Sequence, residues 1–278
     1  MFWLFKNLPS GNIPNLRLRK RKKKQTGRSK IMMKFTIFLT LVFVSNLFAQ
    51  DIPKSAVILE KANVTPTRQI ILWMPNPKKV PRDTTDEIYT CPDQTRGHYY
   101  SGIAKVSLID VNTKKTINTI EIITEDENAI DLPYLIKRGY YKVAKLDKNK
   151  EGKPILLDLK DYNNDGKAQE FALFDAVACM GLRTNLIGYS ETNDKVIQYQ
   201  TELETENKKV KTYQVDYLFG QKPNKQGVYK YEIDYRGRGG SLDKYEIRYD
   251  KKREMFYGTL KRIFEDDKII EEKERPHK

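Results

Sequence analysis

Histidine and cysteine are scarce in this chain. Its 278 residues include two of each, His98 and His277, Cys91 and Cys179. Neither a C-x-x-C nor an H-x-x-x-H spacing occurs, so no zinc-type ligand set is present in the motif sense. No G-x-S-x-G elbow accompanies His98, which removes the common serine-nucleophile reading. The sequence also lacks an uninterrupted apolar run of the roughly 20 residues that span a bilayer. It has no sustained 3.6-residue apolar period and no internal repeat, which argues against helical bundles, solenoids and propellers of repeated blades. Finally, the first fifty residues contain no Asp or Glu.

That last absence locates the charge. The formal net charge is +14, but eleven of the 51 Lys/Arg lie in residues 1–50. The remainder carries 40 basic residues against 37 acidic ones. A near-balanced body has no electrostatic case for nucleic acid, and none is expected as a partner.

The basic leader has the layout of a secretory signal peptide. Lys34 precedes the apolar run Phe35–Val44, and Ser45-Asn46-Leu47-Phe48-Ala49-Gln50 follows, with cleavage expected at Ala49-Gln50. The run is short and broken by Thr, Ser and Asn, so no stable transmembrane anchor is expected. Met32 or Met33 would give a signal peptide of ordinary length, which makes residues 1–31 look like an overcalled start. A genuine long basic leader or cytoplasmic tail is the alternative. The destination read from this leader is periplasmic or extracellular. In such an oxidising compartment Cys91 and Cys179 are expected to form a disulfide rather than stay as two buried thiols. Closing so long a loop stabilises by about 4–5 kcal/mol in the chain-entropy model.

Beyond the leader the apolar period is two. Arg68–Met74 is a buried strand ended by Pro75-Asn-Pro77, and residues 75–97 read as a long loop carrying Cys91. Gly102–Ile109 and Thr116–Ile123 form a hairpin turning at Val111–Lys115. Short strands are expected at Leu132–Leu135 and Tyr140–Val143, with a charged connection at 145–153. Asp175–Gly181 is the one place where a helical turn fits. Tyr213, Val215, Tyr217 and Phe219 alternate on one face. So do Tyr229, Tyr231, Ile233 and Tyr235, and so do Tyr245, Ile247 and Tyr249, with charged residues between them. Apolar-in, charged-out alternation at hairpin spacing means antiparallel strands with one wet face. Glu254–Ile263 adds another strand. The expected class is therefore all-β, an antiparallel meander or sandwich that allows two packed β subdomains. The expected boundaries are a leader at 1–49, an N-terminal β region at 50–150, a C-terminal β region at 151–264 and a charged tail at 265–278.

One stretch has specific chemistry. In Asp161-Tyr-Asn-Asn-Asp-Gly-Lys-Ala-Gln-Glu170, oxygen-bearing side chains stand at 161, 163 and 165 and a glycine follows at 166. Apolar runs at 155–157 and 171–174 flank it, so the loop joins strands. Calcium takes six to eight oxygen ligands, which alternate carboxylates and a backbone carbonyl can supply from a tight loop. The pattern Asp-x-Asn-x-Asp-Gly resembles the calcium loops of FG-GAP (VCBS)-type proteins, and less closely those of EF-hand and dockerin proteins. The resemblance covers ten residues. It implies Asp161, Asn163 and Asp165 as side-chain ligands, Lys167 through its carbonyl, and Ca2+ as cofactor. Gln169 and Glu170 are the candidates at the far end. There the pattern departs, with Gln169 at the ninth position, Ala172 at the twelfth and Glu170 one place late for an EF-hand. The competing reading is a tight Asp/Asn/Gly turn held by side-chain-to-backbone bonds without an ion.

These readings point to an exported β-rich binding or cell-envelope accessory protein with a structural calcium loop, with a protein or polysaccharide as ligand. A secreted carboxylate-dependent polysaccharide hydrolase is the alternative from another class, and an ion-free structural protein is the third. No residue is singled out as catalytic.

Overall fold

The polar lead-in to the first apolar run is itself a strand. In the computed structural model, β1 (Val57–Thr65) pairs antiparallel with β2 (Arg68–Met74). The structure describes residues 51–82, 97–125, 128–136, 141–146, 152–177 and 181–264, all within the unit Leu47–Lys278. The leader, Cys91, Cys179 and the tail 265–278 lie outside the described residues, and so does the expected disulfide.

The architecture is all-β, with four sheets and no α-helix among the described residues. The first sheet has the order β1-β2-β5-β6, with β5 (Lys105–Asp110) and β6 (Thr116–Glu121) forming the expected hairpin. The second runs β3 (Lys78–Arg82), β4 (Gly97–Ile103), β7 (Ala129–Ile136), β9 (Gly152–Pro154), β8 (Val143–Leu146). Two expected loops thus contribute strands, because main-chain pairing with β4 and β7 outweighs the local Pro and Lys content.

The third sheet is built on β11 (Gly181–Ser190). β10 (Glu170–Val177) covers one edge, while β12 (Lys195–Gln198) and β15 (Gln214–Asp216) share the other. The expected helical turn at 175–181 is corrected here, since Asp175, Ala176 and Val177 are paired with Arg183, Leu182 and Gly181. The fourth sheet has the order β14 (Lys209–Thr212), β13 (Thr201–Glu204), β18 (Met255–Phe264), β17 (Ser241–Asp250), β16 (Tyr229–Asp234). Its β13–β18 pair is parallel, which makes this sheet mixed. The run Tyr213–Phe219 is also shorter than its alternation suggests. Tyr217 has φ 56°, which ends the strand, and Leu218–Gly220 close into a 3-10 turn.

Two cores explain these sheets. One holds Ile70, Leu72, Val106, Leu108, Phe171, Leu173, Ile187 and Val196. The other holds Tyr162, Ala172, Leu186, Phe219, Tyr229, Tyr245 and Phe256. Along β10, Phe171 and Leu173 enter the first core and Ala172 the second. On β11, Ile187 and Leu186 divide the same way. The third sheet is therefore a middle layer, and its continuous apolar sequence follows from having both faces covered. The tyrosine rows of β16 and β17 are core residues of the second cluster, with Lys230 and Glu232 facing outward.

Side chains join the layers where strands do not. The Asn118 amide donates to the Val196 carbonyl and accepts from the Val196 N–H, both at 2.9 Å. The Gln198 amide does the same for Ile123, donating to its carbonyl at 2.9 Å and accepting from its N–H at 2.8 Å. These two clamps stitch the β6 side of the first sheet to β12. Arg68 grips Asp194 with Nε and Nη2, each at 2.7 Å, and Asp110 with Nη1 at 2.7 Å.

Candidate functional site

The loop 161–170 leads into β10, an edge strand of the middle sheet whose residues enter both cores. Leu156 and Leu157 ahead of it lie in the first core, and Tyr162 within it lies in the second. Its base is closed by a bridge between Lys160 and Glu170: Lys160 N–H donates to the Glu170 carbonyl at 2.8 Å, and Glu170 N–H returns at 3.1 Å.

Inside the loop the alternate side chains turn back onto backbone N–H groups, the bonding expected of the ion-free turn. Asp161 Oδ1 and Asn163 Oδ1 both accept from the Asp165 N–H at 3.0 Å. Asp161 Oδ2 accepts from the Gly166 N–H at 2.9 Å, and Asp165 Oδ1 accepts from the Lys167 N–H at 3.0 Å. Gly166 has φ 91° and Asn164 φ 60°, left-handed conformations that let the chain fold back over Asp161. Residues 164–168 form the exposed side of the loop, Asp161 is half-buried and Asn163 is buried at 8% exposure.

Glu170 is the part that spacing rules place outside the pattern. It is wholly buried, with Oε2 accepting from the Tyr162 N–H at 3.0 Å and Oε1 from Asn163 Nδ2 at 3.1 Å. Asn163 Nδ2 also reaches Asp165 Oδ2 at 3.4 Å. One amide therefore stands between two carboxylates. Burial pushes the Glu170 carboxyl up to about 8; the Tyr162 N–H opposes that rise, and the charges of Asp165 and Asp161 add to it.

Gln169 and Lys167 are not brought into this cluster by their side chains. Gln169 Nε2 donates to Glu191 Oε1 at 3.1 Å, and the Lys167 ammonium pairs with the other Glu191 oxygen. The Lys167 carbonyl accepts from the Gln169 N–H at 3.1 Å. Among the described residues no group of three or more His, Cys, Asp or Glu side chains is arranged to hold a metal ion. The donor set of Asp161, Asn163, Asp165 and Glu170 is all oxygen, apart from the Asn163 amide nitrogen, and its chemistry suits a hard cation such as calcium.

Four supporting residues have no motif to announce them. Gly188 lies opposite Glu170, and a Cβ there would come within 2.7 Å of Glu170 Cγ. Gly227, at φ 73°, backs onto Asn164, whose Cβ would be 2.9 Å from an added Cβ. Tyr229 donates to the Tyr162 carbonyl at 2.8 Å. The Tyr199 ring closes the other side of Gly188, with its Cε2 3.1 Å from an added Cβ. An isolated glycine within an apolar strand was the available signal for Gly188; the others depend on contacts between distant strands.

His98 and Tyr100 lie on β4, where Tyr100 packs on Tyr134 with ring centroids 4.4 Å apart. Arg236–Arg238 form a 3-10 turn between β16 and β17, with Arg236 paired to Asp234. No helix among the described residues is long and apolar enough to cross a membrane.

Compared with protein-family models, curated proteins and solved structures, the chain matches none.

Proposed function

We propose that this chain is an exported β-rich binding or cell-envelope accessory protein in which the loop 161–170 is a structural calcium loop. Export is supported by the leader alone. The calcium reading is carried by one observation: four oxygen-bearing side chains within ten residues gather around the Asn163 amide and the Asp165 N–H. Turning the Asn163 amide would present its oxygen to the same point, and Asp161, Asp165 and Glu170 would then offer carboxylate oxygens from three sides. Calcium held there would take Glu170 as a carboxylate, releasing the proton that burial keeps on it at neutral pH, and would balance the charges of Asp161 and Asp165.

Its role would be to lock the junction of two cores. The loop's strands feed both clusters, so ordering it orders the middle sheet. A ligand that binds only the folded chain raises its stability by mass action. Calcium at millimolar concentration should therefore raise the melting temperature of the folded chain above its value in EDTA, and magnesium should do so less. An unchanged melting temperature across that titration removes calcium from the proposal and leaves the loop as an ion-free turn.

A further inference from the structure

The fourth sheet ends on β16, whose outer edge has no strand beside it among the described residues. The turn that follows β16 fixes which main-chain groups face that edge. Tyr235 donates its N–H to the Ser241 carbonyl at 2.9 Å, so its main chain is turned toward β17. Main-chain direction alternates along an antiparallel pair. Tyr229, Tyr231 and Ile233 therefore face β17, while the N–H and C=O groups of Lys230, Glu232 and Asp234 face outward. Such a row of unpaired main-chain groups is a template for another strand.

Other edges of the molecule are blunted. Beside β1, Glu60 accepts from the N–H groups of Leu156 and Leu157 at 2.6 and 3.1 Å and holds that segment in place. β6 is clamped to β12 through Asn118 and Gln198. On β10, Lys160 bridges Glu170, and the Tyr141 hydroxyl accepts from the Phe174 N–H at 2.8 Å and donates to its carbonyl at 3.3 Å. β3 contains Pro81 among three cationic residues. β14 is four residues long, and pairing with itself about Val210 would set Lys209 against Lys211. β16 has no proline and carries both charge signs.

We propose that β16 pairs antiparallel with β16 of a second copy of this chain, about a two-fold axis at Tyr231. In that register each Lys230 lies opposite the second copy's Glu232, and their outward main-chain groups bond each other. Charge selects the register. Within the chain Lys244 is paired with Glu232 at 2.8 Å, and Lys230 with Glu246 at 3.8 Å. Joining two copies extends these pairs into a row across four strands: Lys244, Glu232, then the second copy's Lys230 and Glu246. The signs alternate along the whole row. Moving the axis to Glu232 would instead set that carboxylate against its own copy, which is destabilising. On the core side the two Tyr231 residues become cross-strand neighbours, each already stacked on its own Tyr245 with centroids 4.7 Å apart. The contact is isologous and closes at two copies. It depends neither on the ion loop nor on the reading of the chain as a binding protein.

The test is sedimentation velocity of the full chain in EDTA, from low micromolar to several hundred micromolar protein. EDTA keeps the outcome distinct from that of the calcium reading. The parent chain should pass from monomer to a plateau at dimer. Lys230→Glu and Glu232→Lys should each weaken dimerisation at least tenfold, because each sets like charges opposite one another at both symmetry-related pairs. The double variant, which exchanges the two charges, should recover most of the lost affinity. Lys209→Glu on β14 should leave dimerisation unchanged. All three positions are exposed, so each variant should keep the parent's far-UV circular dichroism. The proposal is overturned if the parent stays monomeric throughout, if either single variant dimerises like the parent, or if the double variant dimerises no better than the single ones. Growth past the dimer, or loss of association in Lys209→Glu, would overturn it in favour of head-to-tail pairing of β16 with β14.

Discussion

Glu170 and Gly188 face each other across the β10–β11 pair, and the buried carboxylate occupies the space where any side chain at 188 would begin. A Cβ at 188 would meet Glu170 Cγ at 2.7 Å, Tyr199 Cε2 at 3.1 Å and the Gln169 carbonyl at 3.2 Å. The loop thus depends on a residue eighteen positions away that has no polar atom of its own beyond the backbone.

Gly188→Ala should therefore destabilise the fold by about 1–3 kcal/mol, the cost of overpacking a well-filled site. Urea unfolding would measure it. A midpoint equal to that of the parent chain would mean that Glu170 has room to move, and the packing argument would fail.

Asp165→Ala should abolish the calcium-dependent rise in melting temperature while leaving the chain folded in EDTA. Asp165 contributes oxygens to the cluster from the exposed side of the loop, so its removal deletes a ligand without opening a core cavity. A calcium response as large as that of the parent chain would show that the ion acts elsewhere.

The clamp at Asn118 leads to a different expectation. Its amide satisfies both backbone groups of Val196, and Val196 itself is buried. Asn118→Leu should cost about 1–3 kcal/mol, because a donor and an acceptor lose their partners together. Gln198→Leu should act similarly through Ile123. Hydrogen exchange at the Val196 and Ile123 amides gives the local readout; protection unchanged in both variants would contradict the clamp.

Acid should loosen the Arg68 junction. The Arg68 hydrogen bond holds the Asp194 carboxyl below its ordinary value of 3.8, and the Thr113 N–H does the same for Asp110, with Arg68 adding to it. A depressed folded-state pKa stabilises above the unfolded-state value and is lost as pH falls through the folded one. Stability should therefore decline below about pH 4, and Asp194→Asn should flatten that decline. Asp194 is 43% exposed, so its share belongs to the small end of ion-pair contributions. An acid limb of identical slope in Asp194→Asn would sink the assignment.

The strands from Tyr229 onward were legible because each satisfies its period locally. Tyr229 and Tyr231, then Tyr245 and Ile247, point into one core with charges between them, and no distant partner is needed to read that. The edge of the second sheet was illegible for the opposite reason. Lys78–Arg82 contains a proline and three cationic residues, and only pairing with β4 makes it a strand. Asp175–Val177 has small residues compatible with a helical turn, and its register with β11 decided otherwise. Likewise, Tyr217 looked like one more member of an alternating row until its positive φ ended the strand.

By itself, the sequence determined the all-β class, most of the hairpins and the convergence of Asp161, Asn163 and Asp165, since these rest on period-two burial and on bonds spanning at most five residues. Only the tertiary structure decided that Glu170 is buried beneath the loop, that Gln169 and Lys167 turn to Glu191, and that Asn118 and Gln198 act as strand surrogates. Each of those depends on which strand lies alongside, and pairing between residues tens of positions apart leaves no local period to read.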